Sequence, residues 1–212
     1  ISDWHSPSEL PRQSARVEVR VSQAPWLAGR PERAQIGREV RAWKADVFHS
    51  IFPPMVVTGV PSVVTVFDLT PLSHPHLHQP EVVRAFGAAM RPALAGAARV
   101  VAISRATSDQ VRRYFPKAIS RTSVAGVGLP AHLQTLRPEG RRSGVLFVGT
   151  VEPRKNVALI LEAARHLRRQ GDRTPITIVG KQGWGELDIT AAVKGLPGVH
   201  YSGYVGERAL AH

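Results

Sequence analysis

The chain has 212 residues, enough to bury one core or two modest ones, and 43% of them are hydrophobic, which excludes an intrinsically disordered protein. It contains no Cys, which excludes a disulfide framework and a thiolate metal site. The net charge of +12 favours anionic ligands, but no long basic run with interspersed aromatic residues points to nucleic acid.

Short apolar segments alternate with helical segments along the first part of the chain. Apolar residues spaced three or four apart predict helices at 31–44 and, with a kink at Pro92, at 81–98. Ser104 is suited to cap a further helix that ends near Phe115. Runs of apolar and β-branched residues predict strands at 16–21, 46–49, 61–67, 99–103 and 120–125. This alternation predicts an α/β fold with a parallel sheet covered on both faces.

The polar segment 138–144 contains two Gly and is the best candidate for a linker, so we predict domains at 1–137 and 145–212. Asn156 is suited to cap an amphipathic helix, and Gly171 is suited to end it. Apolar strands are predicted before and after this helix, at 145–148, 176–179 and 199–202. The second domain therefore begins with a βαβ unit.

The loop between the first strand and the helix of this unit carries the most informative chemistry. In an open α/β sheet, ligands bind beyond the carboxyl ends of the strands. Gly149 allows a sharp turn, and Thr150 offers a hydroxyl. Arg154 and Lys155 place two cations beside a helix N-terminus, and this arrangement suits a diphosphate. On the residues alone, a solvated basic pair in a surface loop remains an alternative.

The stretch Gly149-Thr-Val-Glu-Pro-Arg-Lys-Asn156 resembles the donor-phosphate loop of retaining glycosyltransferases of family 4, in a subgroup that includes many mannosyltransferases. Weaker matches follow the family's order from about Ala45 onward, and they include 178–184 and 201–205. The resemblance implies the GT-B fold, in which two Rossmann-like domains face each other across a cleft. Residues 1–137 would be the later part of the acceptor-side domain, and 145–212 the first part of the donor-binding domain.

The resemblance also implies a reaction and a set of site residues. The reaction is transfer of a sugar, with mannose as one candidate, from a nucleotide-sugar donor to a glycan or lipid-linked acceptor, with retention of configuration. Asp68 would lie near the reacting groups as the catalytic candidate, although a turn-capping role for it remains open. The residues expected to contact the donor are Gly149, Thr150, Arg154, Lys155, Gly180, Lys181, Tyr204 and Val205.

The expectations for cofactor, partners and location rest on this resemblance together with the composition. No cofactor and no metal are expected, because protein cations would stabilise the diphosphate. His74, His76 and His78 alternate as metal ligands on a strand would, but Pro residues within and after this segment favour a loop. We expect no nucleic acid partner and a cytoplasmic protein of cell-envelope polysaccharide synthesis, and peripheral contact with the inner face of the membrane remains open.

Two departures from the family pattern affect these expectations. Phe67 stands where the family often has His. The Glu-x7-Glu motif and the Gly-rich loop of the first domain both lie outside the chain, whose ends at Ile1 and His212 we interpret as cuts. We therefore expect this segment alone to be inactive. A GT-B-fold sugar-nucleotide epimerase and a degenerate, non-catalytic nucleotide-binding module remain alternatives.

Overall fold

The computed structural model describes residues 30–51, 58–128 and 143–210. The predicted strand at 16–21 and residues 138–142 of the predicted linker lie outside the described residues. The chain divides into two compact units, each with its own sheet. The domain boundaries predicted at 138–144 stay a prediction.

The first unit contains a parallel sheet of four described strands, in the order β1-β2-β3-β4. These strands are β1 (Phe48–Ser50), β2 (Ser62–Val66), β3 (Arg99–Ala102) and β4 (Thr122–Val124). The connecting helices are α1 (Arg30–Ala42), α2 (Thr70–Ser73), α3 (Pro80–Gly96) and α4 (Arg105–Tyr114), with a 3-10 turn at Pro116–Arg121. Another 3-10 turn, Pro75–Leu77, follows α2 in the chain. All four sequence-predicted strands within the described residues are confirmed, with bounds shifted by one or two residues.

The core of the first unit lies between β2, β3 and the helices α3 and α4. Fully buried side chains from these elements include Val64, Val66, Met90, Leu94, Val100 and Val111. Ser104 caps α4 as predicted, because its hydroxyl accepts a hydrogen bond from Thr107 N at 3.1 Å. The Arg121 guanidinium donates to the backbone carbonyls of Leu94 and Ala97 at the C-terminal end of α3.

The second unit contains a parallel sheet of three described strands, in the order β5-β6-β7. These strands are β5 (Val145–Val148), β6 (Ile176–Val179) and β7 (Val199–Gly203). The helices are α5 (Val157–Arg169), α6 (Ile189–Val193) and α7 (Glu207–Leu210), and a 3-10 turn spans Pro153–Lys155. The predicted strand–helix–strand unit is therefore confirmed, with α5 between β5 and β6.

Packing in the second unit is uneven across its sheet. The core combines the buried face of α5 with β6, and its buried side chains include Val157, Leu161, Ile176, Ile178 and Ile189. In contrast, β5 is an outer strand of the described sheet, and its apolar side chains Val145, Leu146 and Val148 are half or more exposed. The sheet therefore has a well-covered centre and an apolar, exposed edge.

α5 ends at its C-terminus as the sequence predicts. Gly171 has a φ of 79°, and Asp172 N and Gly171 N donate to the carbonyls of Leu167 and Arg168. The Arg168 guanidinium donates in addition to the carbonyls of residues 172, 174 and 197. This one side chain thus joins the end of α5 to the segments that lead into β6 and β7.

Candidate functional site

Three loops meet at the carboxyl edge of the second sheet. Gly149 N, just after β5, donates to Val179 O at 2.9 Å, and Gly180 N, just after β6, donates to Gly203 O at 2.8 Å. Parallel strands place their carboxyl ends on one edge, which is where α/β sheets bind ligands. The structure therefore brings together the three predicted pairs of donor-binding residues, Gly149 and Thr150, Gly180 and Lys181, and Tyr204 and Val205.

The loop after β5 has a defined path across this edge. Val151 is 1% exposed, and its backbone N donates to Lys181 O at 3.0 Å. Gly183 N donates in turn to Val151 O at 3.0 Å. One buried side chain and two backbone hydrogen bonds therefore hold the middle of the loop against the segment that follows β6.

The two predicted cations of the loop differ in their surroundings. Arg154 forms an ion pair with Glu152, and their side chains are 34% and 16% exposed. Glu152 O also accepts from Lys155 N at 2.9 Å, which closes the 3-10 turn. Glu152 was missing from the predicted site, although its position two residues before Arg154 was a usable signal. The carboxylate of Glu152 therefore partly offsets the charge of Arg154.

Lys155 presents its charge to solvent. The side chain is exposed, and within the described residues it takes part in no ion pair. An exposed ammonium of this kind retains its full attraction for an approaching anion.

Asn156 occupies the N-cap position of α5, but the prediction that its side chain caps the helix is wrong. The residue is left-handed, with φ 47° and ψ 44°, and its side chain makes no cap hydrogen bond. Asn tolerates this conformation better than most residues, which explains its presence at the turn. No side-chain oxygen of Asn156 therefore occupies the amides at the start of α5.

The other two loops of the edge follow β6 and β7. Gln182 holds the loop after β6, because its amide donates to Leu187 O at 2.7 Å. Lys181 is exposed, and Tyr204, just after β7, is 77% exposed while the adjacent Val205 is half-buried. The carboxyl edge thus offers a further exposed cation and an exposed aromatic ring in addition to Arg154 and Lys155.

Asp68, the predicted catalytic residue, lies just after β2 in the first unit. Its Oδ1 accepts from Thr70 N at 2.9 Å and from Thr70 Oγ1 at 2.5 Å, which is a turn-capping arrangement. The residue is exposed, and the preceding Phe67 is 46% exposed. The turn role that the sequence left open is therefore observed, and a catalytic role stays a prediction.

The histidines singled out in the sequence lie in the first part of the chain. His74 Nδ1 lies 2.9 Å from Ser73 Oγ, and His76 lies in the 3-10 turn that follows. Among the described residues, no group of three or more His, Asp or Glu side chains is arranged to hold a metal ion.

Comparison with protein families gives a match over more than half of the chain. Residues 4–128 match the family model described as Glycosyltransferase Family 4. Three Escherichia coli proteins named serotype-specific mannosyltransferase WbdA are similar to the chain, two at 26% identity and one at 25%. Each similarity covers 85% of this chain, which spans about a quarter of the length of these relatives.

Solved structures show the same architecture at low sequence identity. The structure of TarM matches with a TM-score of 0.56 at 11% identity and covers 84% of this chain and 37% of its own. A glycosyltransferase from Rickettsia africae ESF-5 matches with a TM-score of 0.53 at 10% identity and covers 90% of this chain and 55% of its own. These similarities confirm the predicted α/β class and the incomplete Rossmann-like GT-B fold.

Among the helices of the described residues, none combines the length and the apolar character needed to cross a bilayer.

Proposed function

This chain belongs to glycosyltransferase family 4, and from that membership we propose that it is part of an enzyme that transfers a sugar from a nucleotide-sugar donor to a glycan or lipid-linked acceptor. The observation that supports this most directly is the Gly149–Lys155 loop at the carboxyl edge of the second sheet, with Arg154 and Lys155 beside the start of α5. Mannose is the first donor sugar to test, because the relatives from Escherichia coli are named mannosyltransferases.

The two cations would act on the leaving group. In the transfer, the bond between the anomeric carbon and the diphosphate oxygen breaks, a bond to the acceptor hydroxyl oxygen forms, and the proton of that hydroxyl passes to the departing diphosphate. Negative charge grows on the departing diphosphate, and fixed cations lower the energy of that state. Lys155 would supply a point charge and Arg154 a bidentate contact, so the proposed reaction uses no metal ion.

Binding of the diphosphate would change the partner of Arg154. The guanidinium is paired with Glu152, so a bound phosphate would compete with that carboxylate. The start of α5 would contribute its backbone amides, since the Asn156 side chain does not occupy them. Lys181 and the backbone of Gly149, Thr150 and Gly180 complete the proposed phosphate site.

The remaining predicted site residues have proposed roles at either end of the donor. Tyr204 and Val205 would contact the nucleotide base, and the exposed ring of Tyr204 offers a stacking surface. Asp68 would lie near the acceptor or the reacting sugar, with the carboxylate oriented by its bonds to Thr70. Retention of anomeric configuration is proposed from the resemblance of the loop to the retaining subgroup.

We place the reaction in cell-envelope polysaccharide synthesis at the cytoplasmic face, because the curated relatives are serotype-specific enzymes. The net charge of +12 supports peripheral contact with an anionic membrane surface. Activity is proposed for the full-length protein, and the 212-residue segment by itself is proposed to be inactive.

A donor screen on the full-length protein tests the proposal. Nucleotide sugars, beginning with GDP-mannose, are incubated with and without a glycan acceptor, and released nucleoside diphosphate is measured together with the anomeric configuration of the product. Transfer with retention supports the proposal. Interconversion of the free nucleotide sugars would instead indicate an epimerase, and tight binding without turnover a degenerate module.

A further inference from the structure

Three glycines after β6 lie directly against the loop that carries the proposed phosphate cations. A Cβ added to Gly183 would lie 2.7 Å from both Thr150 Cγ2 and Val151 O, and one added to Gly185 would lie 3.0 Å from the Pro153 ring. A Cβ added to Gly180 would overlap Gly149 O. The segment Gly180–Gly185 therefore contacts the loop 149–153 in order, residue after residue.

The contact continues the pairing of the two strands before it. β5 and β6 pair Val145 with Ile176 and Val148 with Val179, and beyond the strand ends Val151 still pairs with Gln182. The register of the ladder is thus unchanged three residues into the loop. Backbone rather than side chains sets the separation of the two segments, and only glycine allows so small a separation.

At Gly183 the requirement for glycine is steric alone, whereas at Gly180 and Gly185 it is also conformational. Gly180 and Gly185 have φ values of 142° and 111°, so a side chain there would also strain the backbone. Gly183 is outside that region, and its need for glycine comes from space alone. An added methyl group at 2.7 Å would have to move the loop by about 0.7 Å to reach an ordinary contact of 3.4 Å.

We propose that Gly183, together with Gly180 and Gly185, positions the Gly149–Lys155 loop so that its cations reach the donor diphosphate. This inference rests on the proposed function and adds positioning residues to it. Besides the phosphate contacts proposed for Gly180 and Lys181, the glycine-rich segment would hold the cation-bearing loop at a fixed distance from the end of β6.

The test uses Gly183→Ala in the full-length protein, with inorganic pyrophosphate as a base-free probe measured by calorimetry. We expect the dissociation constant of the folded variant to rise at least about tenfold, the effect of one lost contact to a charged group. We also expect kcat to fall by up to about a hundredfold, because a displacement approaching 1 Å misaligns the leaving group.

A second variant keeps the test specific to the loop. Thr150→Ser retains the hydroxyl but deletes the Cγ2 atom that the new methyl group would meet, so it should restore part of the affinity when combined with Gly183→Ala. Gly87→Ala, within α3, is the matched control, because an added Cβ there lies 3.7 Å from Leu72 Cδ2 of α2, which is an ordinary contact. Its pyrophosphate affinity should equal that of the wild type.

The outcomes separate the two proposals. Wild-type protein that does not bind pyrophosphate or any nucleoside diphosphate would overturn the proposed function. Wild-type binding with an unchanged dissociation constant in folded Gly183→Ala would overturn only the positioning role. A merely structural role would lower the melting temperature and the fraction of competent protein without changing the dissociation constant, and that result also counts against the inference.

Discussion

Removing the Lys155 charge should weaken diphosphate binding more than removing the Arg154 charge. Lys155 is exposed and makes no ion pair within the described residues, so its full charge is available to a ligand. Arg154 has to exchange its bond with Glu152 for one with the ligand, which reduces its net contribution.

The expected loss of diphosphate affinity can be estimated from the surroundings of the two cations. A hydrogen bond to a charged group contributes about 1.5–3 kcal/mol, so Lys155→Ala should raise the dissociation constant by roughly 10- to 150-fold. The Arg154–Glu152 pair is partly exposed, and such pairs stabilise proteins by at most about 1 kcal/mol. Neither substitution should therefore change the melting temperature appreciably. The increase in the dissociation constant caused by Arg154→Ala should be several-fold smaller than that caused by Lys155→Ala.

Calorimetry with a nucleoside diphosphate at fixed ionic strength measures both variants on the full-length protein. Lys194→Ala is the control, because Lys194 is an exposed lysine just after α6. Acceptor affinity should be unchanged in all three variants. Equal losses of nucleoside diphosphate affinity in Lys155→Ala and Lys194→Ala would refute the reasoning. A larger loss of affinity in Arg154→Ala than in Lys155→Ala would refute it too.

Four further predictions concern stability, the nucleotide base and the isolated segment. Arg168→Ala removes three hydrogen bonds to backbone carbonyls and should lower the free energy of unfolding by about 1–2 kcal/mol in chemical denaturation. Gly87→Ala should raise that free energy by about 0.5–1 kcal/mol, because it replaces glycine within α3 without a clash. Tyr204→Ala should weaken nucleoside diphosphate binding by about 1–3 kcal/mol while leaving pyrophosphate binding unchanged, which would separate base stacking from phosphate contacts. The 212-residue segment, purified free of the full-length enzyme, should release no nucleoside diphosphate from a donor, and robust turnover by it would contradict the proposal that this segment by itself is inactive.

The elements of the fold were predictable where the local sequence determines them. Runs of β-branched and apolar residues predicted the strands, Ser104 predicted the start of α4, and Gly171 predicted the end of α5. The parallel arrangement followed from the alternation of strands and helices. These features depend on residues close together in the chain.

The geometry of the site depended on contacts that the local pattern does not contain. Asn156 has the residue type of a helix cap, yet its left-handed backbone gives the side chain no cap hydrogen bond. The need for glycine at Gly183 comes from Thr150, more than thirty residues earlier, and is visible only when the two loops are placed side by side. The Glu152 pair with Arg154 was open to prediction from spacing, but its effect on the available charge required the side-chain geometry.

The exposed edge at β5 has a consequence for how this segment behaves in solution. Val145, Leu146 and Val148 present apolar surface beside backbone groups that another strand can pair with, so copies of the chain have a means of associating edge to edge. The net charge of +12 opposes that association through long-range repulsion. Because salt shortens the reach of repulsion to about 8–10 Å near physiological ionic strength but leaves apolar contact intact, the segment should stay dispersed in dilute buffer and self-associate as salt is added. Ionic strength would then act oppositely on its two surfaces, weakening anion capture at the carboxyl edge while promoting assembly along β5.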